Sequence, residues 1–172
     1  MVSIAKTIGE NGQVAGIDIS EAMLGIARKK LFKHNNVILK KWDLENIPYS
    51  DNYFDAVVSV NVMHYFHNLM DVLKEFYRIL KPGGRMVLLG FCTDFLFFQA
   101  MEKMWRILVP SHVRAYSLDE LSQKLKEAGF KIVENKRFKA SWFWGSMAVK
   151  VKKDSQQGYR NFQSIHKGGA NV

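Results

Sequence analysis

Gln13-Val14-Ala15-Gly16-Ile17-Asp18-Ile19-Ser20-Glu21-Ala22-Met23-Leu24 is the stretch on which the fold turns. Gln13–Asp18 is a short apolar run closed by an acid, the pattern of a buried strand. Ser20 follows as a helix cap, its hydroxyl placed to accept a free N–H of the first turn. Glu21 then suits the positive end of a helix over Glu21–Leu31. One strand, one tight turn and one helix within twenty residues predict half of a β-α-β unit.

The same rhythm continues downstream. Val37–Lys41, the valine-rich Asp55–Val60, Arg85–Phe91, Lys131–Phe138 and Ser141–Val151 read as strands. The last two, joined by a short connection, read as an antiparallel pair. Leu69, Val72, Leu73, Phe76 and Leu80 keep helical spacing, and Pro82-Gly83-Gly84 is expected to end that helix. Ser117 with Glu120 three residues on is a capping box, opening a helix with Leu118, Leu121 and Leu125 inward, and Gly129 stops it. Strands alternating with helices predict an α/β fold whose mostly parallel sheet is covered on both faces. In Asp94–Val109 the polar residues Gln99, Glu102, Lys103 and Arg106 form one narrow stripe expected to face water. The wide apolar arc beside it, with Trp105, Phe95, Phe97 and Phe98, is expected to cover the sheet or wall an apolar cavity.

Composition narrows the class. The chain has 172 residues, 48% apolar and 24% charged, which suits one globular domain. No apolar run is long enough for a membrane-spanning helix, because Asp94 interrupts the most apolar stretch, Met86 to Phe98. Met1 leads straight into an amphipathic pattern, so no signal peptide is read and a cytoplasmic setting is expected. A single cysteine, Cys92, excludes an internal disulfide and any multi-cysteine metal site. The net charge is +9, and residues 131–172 hold 9 of the 25 Lys+Arg but 2 of the 16 Asp+Glu. That basic end reads as a solvated edge and tail.

Four pieces now fall into one register. Gly16-Ile17-Asp18-Ile19-Ser20 with Met23-Leu24 and Ala27-Arg28 comes first. Trp42-Asp43-Leu44 with Ile47-Pro48-Tyr49 comes second, Phe54-Asp55-Ala56-Val57 third, and Arg78-Ile79-Leu80-Lys81-Pro82-Gly83-Gly84-Arg85 fourth. In order and spacing they resemble the second to fifth strand regions of class I S-adenosylmethionine-dependent methyltransferases, closest to the ubiquinone/menaquinone-biosynthesis type of small-molecule enzyme. The resemblance runs from about Ile4 to Lys150. It implies a Rossmann-like three-layer sandwich, mostly parallel with an antiparallel last strand, over residues 1–153.

The resemblance also implies roles. Asp18 would accept from the ribose diol of S-adenosylmethionine, Asp43 from the adenine amino group with the Leu44 backbone beside it, and Ile19 and Met23 would sandwich the adenine ring. Val60 and Asn61, ending the fourth strand region, would offer backbone carbonyls to the cationic sulfonium. S-Adenosylhomocysteine would be the product. Methyl transfer asks mainly for alignment, and a base only where the acceptor carries a proton. His64, three residues past Asn61, is the candidate for that base. His64, Tyr65, Trp105 and Tyr116 are candidates for substrate contact, with a small apolar or aromatic molecule as acceptor.

The family's acidic-x-Gly-x-Gly-x-Gly loop should precede Asp18 by about twenty residues, and its backbone N–H groups would hold the methionine end of the cofactor. Gly9, Gly12 and Gly16 read instead as a helix stop and the approach to a strand. The first strand of the family sheet and this loop are therefore expected to be missing from the 172 residues, leaving six strands. Two buried strands would then lack a neighbour, and a homo-oligomer formed through exposed edges is one way to fill them. Two other functions stay open: a non-catalytic binding or scaffold module, and a nucleic-acid methyltransferase. The second is disfavoured because Asn61-Val62-Met63-His64 stands where an Asn/Asp-Pro-Pro-Tyr/Phe motif would.

Residues 154–172 are polar, basic and weakly periodic, and read as a flexible tail. Deleting the chain from Asp154 onward should leave the melting temperature nearly unchanged. A large fall would show that this segment packs.

Overall fold

The computed structural model describes residues 1–155, apart from 96–98, 100, 103, 105, 106, 110, 111 and 140–144. Trp105, the tail beyond Ser155 and the first four residues of the strand expected from Ser141 lie outside the described residues. The chain forms two compact units, Met1–Pro48 and Tyr49–Val172.

In the first unit, helix α1 (Val2–Ile8) leads to strand β1 (Val14–Asp18), helix α2 (Glu21–Leu31) and strand β2 (Val37–Lys41). Gly9 ends α1 at φ 69°, a left-handed conformation that suits glycine. The Asn36 side chain seals the same helix end by donating to the carbonyls of Ala5 and Gly9 at 3.0 and 2.7 Å. Strands β1 and β2 pair in parallel from Val14↔Val37 to Asp18↔Lys41. Their core is Ala5, Val14 and Leu31, with Ile4, Ala27 and Leu39 packed against it.

The second unit holds strand β3 (Phe54–Val60), a short 3-10 turn (Met63–Tyr65), helix α3 (Leu69–Ile79) and strand β4 (Leu80–Phe91). Helix α4 (Leu118–Glu127) and strands β5 (Phe130–Lys139) and β6 (Gly145–Lys153) complete it. The sheet order is β3-β4-β6-β5, with β3 and β4 parallel and β6 antiparallel to both its neighbours. Only the last strand therefore runs against the others. Helix α3 buries Leu69, Val72, Leu73, Phe76 and Ile79, a spacing that keeps one face on the sheet. Ser117 and Glu120 make the reciprocal capping box of α4.

Two expectations need correction. The α3 helix ends at Ile79, before the Pro-Gly-Gly turn, and Leu80 is already extended at φ −74°, ψ 136°. Lys81 precedes a proline, which disfavours helical backbone there. Strand β4 thus begins at Leu80 rather than Arg85, and the turn is looped out of it, since its register with β3 jumps from Phe54↔Leu80 to Ala56↔Arg85. Gly83 takes φ 79°, and a Cβ on Gly84 would lie 2.8 Å from the Lys81 carbonyl oxygen. The six strands also form sheets of two and four rather than one sheet: among the described residues β1 pairs only with β2, and β3 only with β4.

Two polar clusters, one around the half-buried Arg78 and one around the buried Lys153, tie the second unit together. Arg78 grips Glu75 through Nε and Nη2 at 2.7 and 2.8 Å, and reaches the Tyr49 carbonyl and Asp51 at 2.7 and 2.9 Å. Lys153, the last residue of β6, donates from Nζ to Asn52 Oδ1 at 2.9 Å and to the carbonyls of Tyr77 and Leu80, each at 2.7 Å. Its burial lowers its pKa, yet three acceptors saturate the ammonium. Lys153→Met should keep the volume but strand the Tyr77 and Leu80 carbonyls. The expected loss in chemical denaturation is about 2–4 kcal/mol, and a loss below about 0.5 kcal/mol would contradict this role.

Candidate functional site

The C-terminal ends of parallel strands gather at one edge, and the site residues of the first unit sit there. Asp18 is the last residue of β1. Its Oδ1 accepts from the Ser20 N–H at 2.8 Å and turns the chain into α2, where the Ser20 hydroxyl accepts from Met23 N–H. The Trp42 N–H donates to the Asp18 carbonyl at 3.2 Å, carrying the ladder one residue past β2. Asp43 comes next, and its Oδ1 accepts from Glu45 N–H at 3.0 Å. Each carboxylate thus braces its own turn through Oδ1. Ile19 and Met23, which read as core residues when taken alone, are 67% and 54% exposed. Leu44 is half-buried. The first unit therefore presents two carboxylates and two bare apolar side chains at the same end of one strand pair.

The second unit has its own cluster, at the C-terminal end of the β3–β4 pair. Val60 and Asn61 are exposed. Asn61 adopts φ 53° and its N–H donates to the Leu89 carbonyl at 2.8 Å, so the chain leaves β3 sharply. The 3-10 turn that follows buries His64, whose ring lies 4.0 Å from Tyr65, 5.1 Å from Phe91 and 5.1 Å from His112 between centroids. The His64 carbonyl accepts from the N–H groups of Val113 and Arg114, pinning the turn to that segment. Burial, with a smaller effect from His112, lowers the His64 pKa from 6.5 to about 4. Tyr65 stands half exposed at the edge.

Glu102 is the residue that sequence reading misplaced. It belongs to the stripe expected to face water, but it is only 9% exposed. Its Oε1 accepts from Ala115 N–H at 2.9 Å and lies 3.4 Å from His112 Nε2. Met104, Ile107 and Leu108, on the expected apolar arc or beside it, are exposed instead. Nothing in the helical spacing separates a solvated glutamate from one paired with a histidine ten residues on. Tyr116 is buried, with the Arg114 guanidinium 4.8 Å over its ring, and burial raises its pKa. Cys92 is also buried, its thiol pushed up to about 11 by that burial and held against Asp94 at 3.2 Å. Among the described residues no three His, Cys, Asp or Glu side chains gather into a metal-holding group. No described helix is long and apolar enough to cross a membrane.

Comparison with known proteins places these geometries in context. The family model described as "Methyltransferase domain" matches residues 2–88. A demethylmenaquinone methyltransferase of a Geobacillus species is 31% identical over 159 residues, covering 80% of this chain and 68% of that protein. Across the first three relatives of that name the match spans 60% to 68% of their length. Among solved structures, one assigned as a methyltransferase of Bacillus halodurans superposes with a TM-score of 0.73 at 21% identity, covering 83% of each chain. The N-methyltransferase NodS of Bradyrhizobium japonicum, in complex with S-adenosyl-L-homocysteine, superposes with a TM-score of 0.65 at 16% identity, covering 82% of this chain and 66% of that one.

The buried neutral histidine sets a pH dependence. In the unfolded chain His64 titrates at its ordinary 6.5, and in the fold at about 4. Between those values the unfolded state binds more protons, so this contribution to stability is complete above pH 6.5 and is lost as pH falls towards 4. Lowering the pH from 7 to 4.5 should remove about 2–3 kcal/mol through this group at about 1.4 kcal/mol per pKa unit. His64→Asn should flatten that part of the pH profile in denaturant titrations, and an unchanged slope would contradict the assignment.

Proposed function

From the premise that the chain belongs to the methyltransferase-domain family that includes the demethylmenaquinone methyltransferases, we propose that it takes part in methyl transfer from S-adenosylmethionine to a small apolar or aromatic acceptor, of the demethylmenaquinone kind that those relatives' name gives. One observation carries this reading: Asp18 and Asp43 close adjacent parallel strands at one end, with Ile19 and Met23 exposed beside them.

The donor set fits the nucleoside half of that cofactor. A carboxylate at a strand's C-terminal end accepts two hydrogen bonds from a ribose diol, which is the role given to Asp18. Asp43 accepts from the exocyclic amine of adenine, and the Leu44 backbone flanks the ring edge. Ile19 and Met23 cover the ring faces, a contact that would bury apolar surface now open to water. The cofactor, when bound, supplies an electrophilic methyl on a sulfonium. Val60 and Asn61 are assigned to the sulfonium side by the family resemblance. His64 and Tyr65, just past the end of β3, are assigned to the acceptor.

Calorimetry with S-adenosylhomocysteine tests the reading on this chain. Asp18→Ala and Asp43→Ala should each weaken binding by about tenfold to a hundredfold, the loss of a charge-assisted hydrogen bond of about 1.5–3 kcal/mol. Adenosine should compete for the same site, because the named residues address the nucleoside. Equal affinity in the wild type and both variants would remove the basis for the proposal.

A further inference from the structure

We propose that the face of the four-stranded sheet turned away from α3 and α4 is a docking surface for an amphipathic α-helix with an acidic flank, carried by a partner polypeptide. The surface lies wholly within the second unit and is independent of the methyl-transfer reading.

Strand alternation sorts the side chains onto two faces. On β6, Met147, Val149, Val151 and Lys153 share one face and are buried. Lys153 reaches the carbonyls of Tyr77 and Leu80 at the end of α3. Asn135, the register partner of Val149 on β5, lies 3.4 Å from the Ser122 hydroxyl of α4. Both helices therefore take this face. The residues in between point the other way, and there the burial changes. Val58 and Val60 of β3 are 49% and 52% exposed, and Val87 and Leu89, their partners on β4, are only half-buried. A parallel strand pair of such composition has both faces covered in folded proteins. A contiguous apolar strip rimmed by charge marks an interaction surface.

The charge decides the kind of partner. Arg85 of β4, Lys152 of β6 and Lys131 of β5 stand directly opposite one another on this second face. Like charges so placed repel. Lys131 is relieved by Asp154 at 2.7 Å. Lys150 on β6 and Lys136 on β5 extend the basic field along the strands. Among the described residues Arg85, Lys150 and Lys152 close no ion pair, and Glu134, which opposes Lys150, closes none with it. An anionic partner removes this repulsion. A second copy of the same face adds to it.

The shape decides between anionic partners. The apolar strip is two strands wide, about 10 Å, which is the diameter of one helix. Its floor is valine and leucine, and the arginine and lysines beside it are longer. A convex cylinder reaches such a floor, whereas a flat bilayer meets the cations first. Lys150 and Lys152 are two residues apart on one strand, about 7 Å, close to the spacing of about 5–6 Å between helix positions i and i+4. A helix laid along the strip thus sets apolar side chains on Val58, Val60, Val87 and Leu89, and two carboxylates one turn apart on Lys150 and Lys152.

The test uses the whole 172-residue chain and two fluorescein-labelled synthetic peptides of about 15 residues, long enough for partial helicity. Both carry leucine along one helical stripe; one has glutamate at i and i+4 on its flank, the other lysine. In fluorescence anisotropy at low salt the glutamate peptide should bind about tenfold more tightly, a gap that narrows as salt screens the pairs. The double variant Lys150→Glu with Lys152→Glu should reverse that order. It is still net basic, so long-range attraction alone leaves the order unchanged, and misfolding does not produce a reversal. Val58→Glu should weaken the glutamate peptide by about tenfold through the apolar strip. Equal binding of the two peptides by the wild type, or an order unchanged in the double variant, would overturn the proposal. So would tighter binding to phosphatidylglycerol vesicles than to the glutamate peptide, which assigns the face to a membrane, or a dimer in sedimentation velocity that Val58→Glu dissolves, which assigns it to a second copy.

Discussion

Parallel pairing is the constraint on which both candidate sites depend. Two neighbouring strands that run the same way must be joined by a crossover, and both then end at one edge. In the first unit α2 is that crossover, and it brings Asp18 and the approach to Asp43 to the same end. In the second unit the 3-10 turn and α3 lie between β3 and β4, so Asn61, His64 and Phe91 meet at the corresponding edge. The chemistry-bearing residues of each unit are separated by 20 to 30 positions in sequence. Only the shared strand direction makes them neighbours.

Two of the buried polar groups of the second unit show how one physical rule gives different outcomes. Lys153 and the Glu102–His112 pair are both excluded from water, and both need partners to offset that exclusion. Lys153 has three oxygen acceptors, each within 3 Å, and an ammonium has three hydrogens to give. It is saturated, and its work is to join the end of β6 to the α3–β4 junction. His112 commits one ring nitrogen to Glu102, and an imidazole has two.

The open strand edges tell a related story. Val58 and Val60 of β3 and Ile38 of β2 are exposed, although the apolar runs they belong to have the composition of strands buried on both faces. Each parallel ladder stops after two strands on its β1 or β3 side among the described residues. An unpaired edge of this kind is a surface on which strand pairing is favourable.

Much of the fold was legible because its signals are local. The Ser117–Glu120 box, the Ser20 cap and the apolar face of α3 each depend on residues within one or two turns, and the strand Val37–Lys41 and the helix Glu21–Leu31 have the expected ends. Asp18 closes a short apolar run, whereas Asp43 follows Lys40-Lys41-Trp42 and was singled out by the family resemblance. Helix α3 was read one residue too long because the outcome depended on Leu80 joining β3, a partner more than twenty residues away. Glu102 was misread more deeply. Its spacing with Gln99 fits a wet stripe, and only the arrival of Ala115 and His112 withdraws it from water. The sequence by itself determined the order of strands and helices and their caps, since these follow from periodicity and chain-local hydrogen bonding. The tertiary structure alone decided which polar side chains are buried and with whom, because burial is set by contacts between segments that no local pattern encodes.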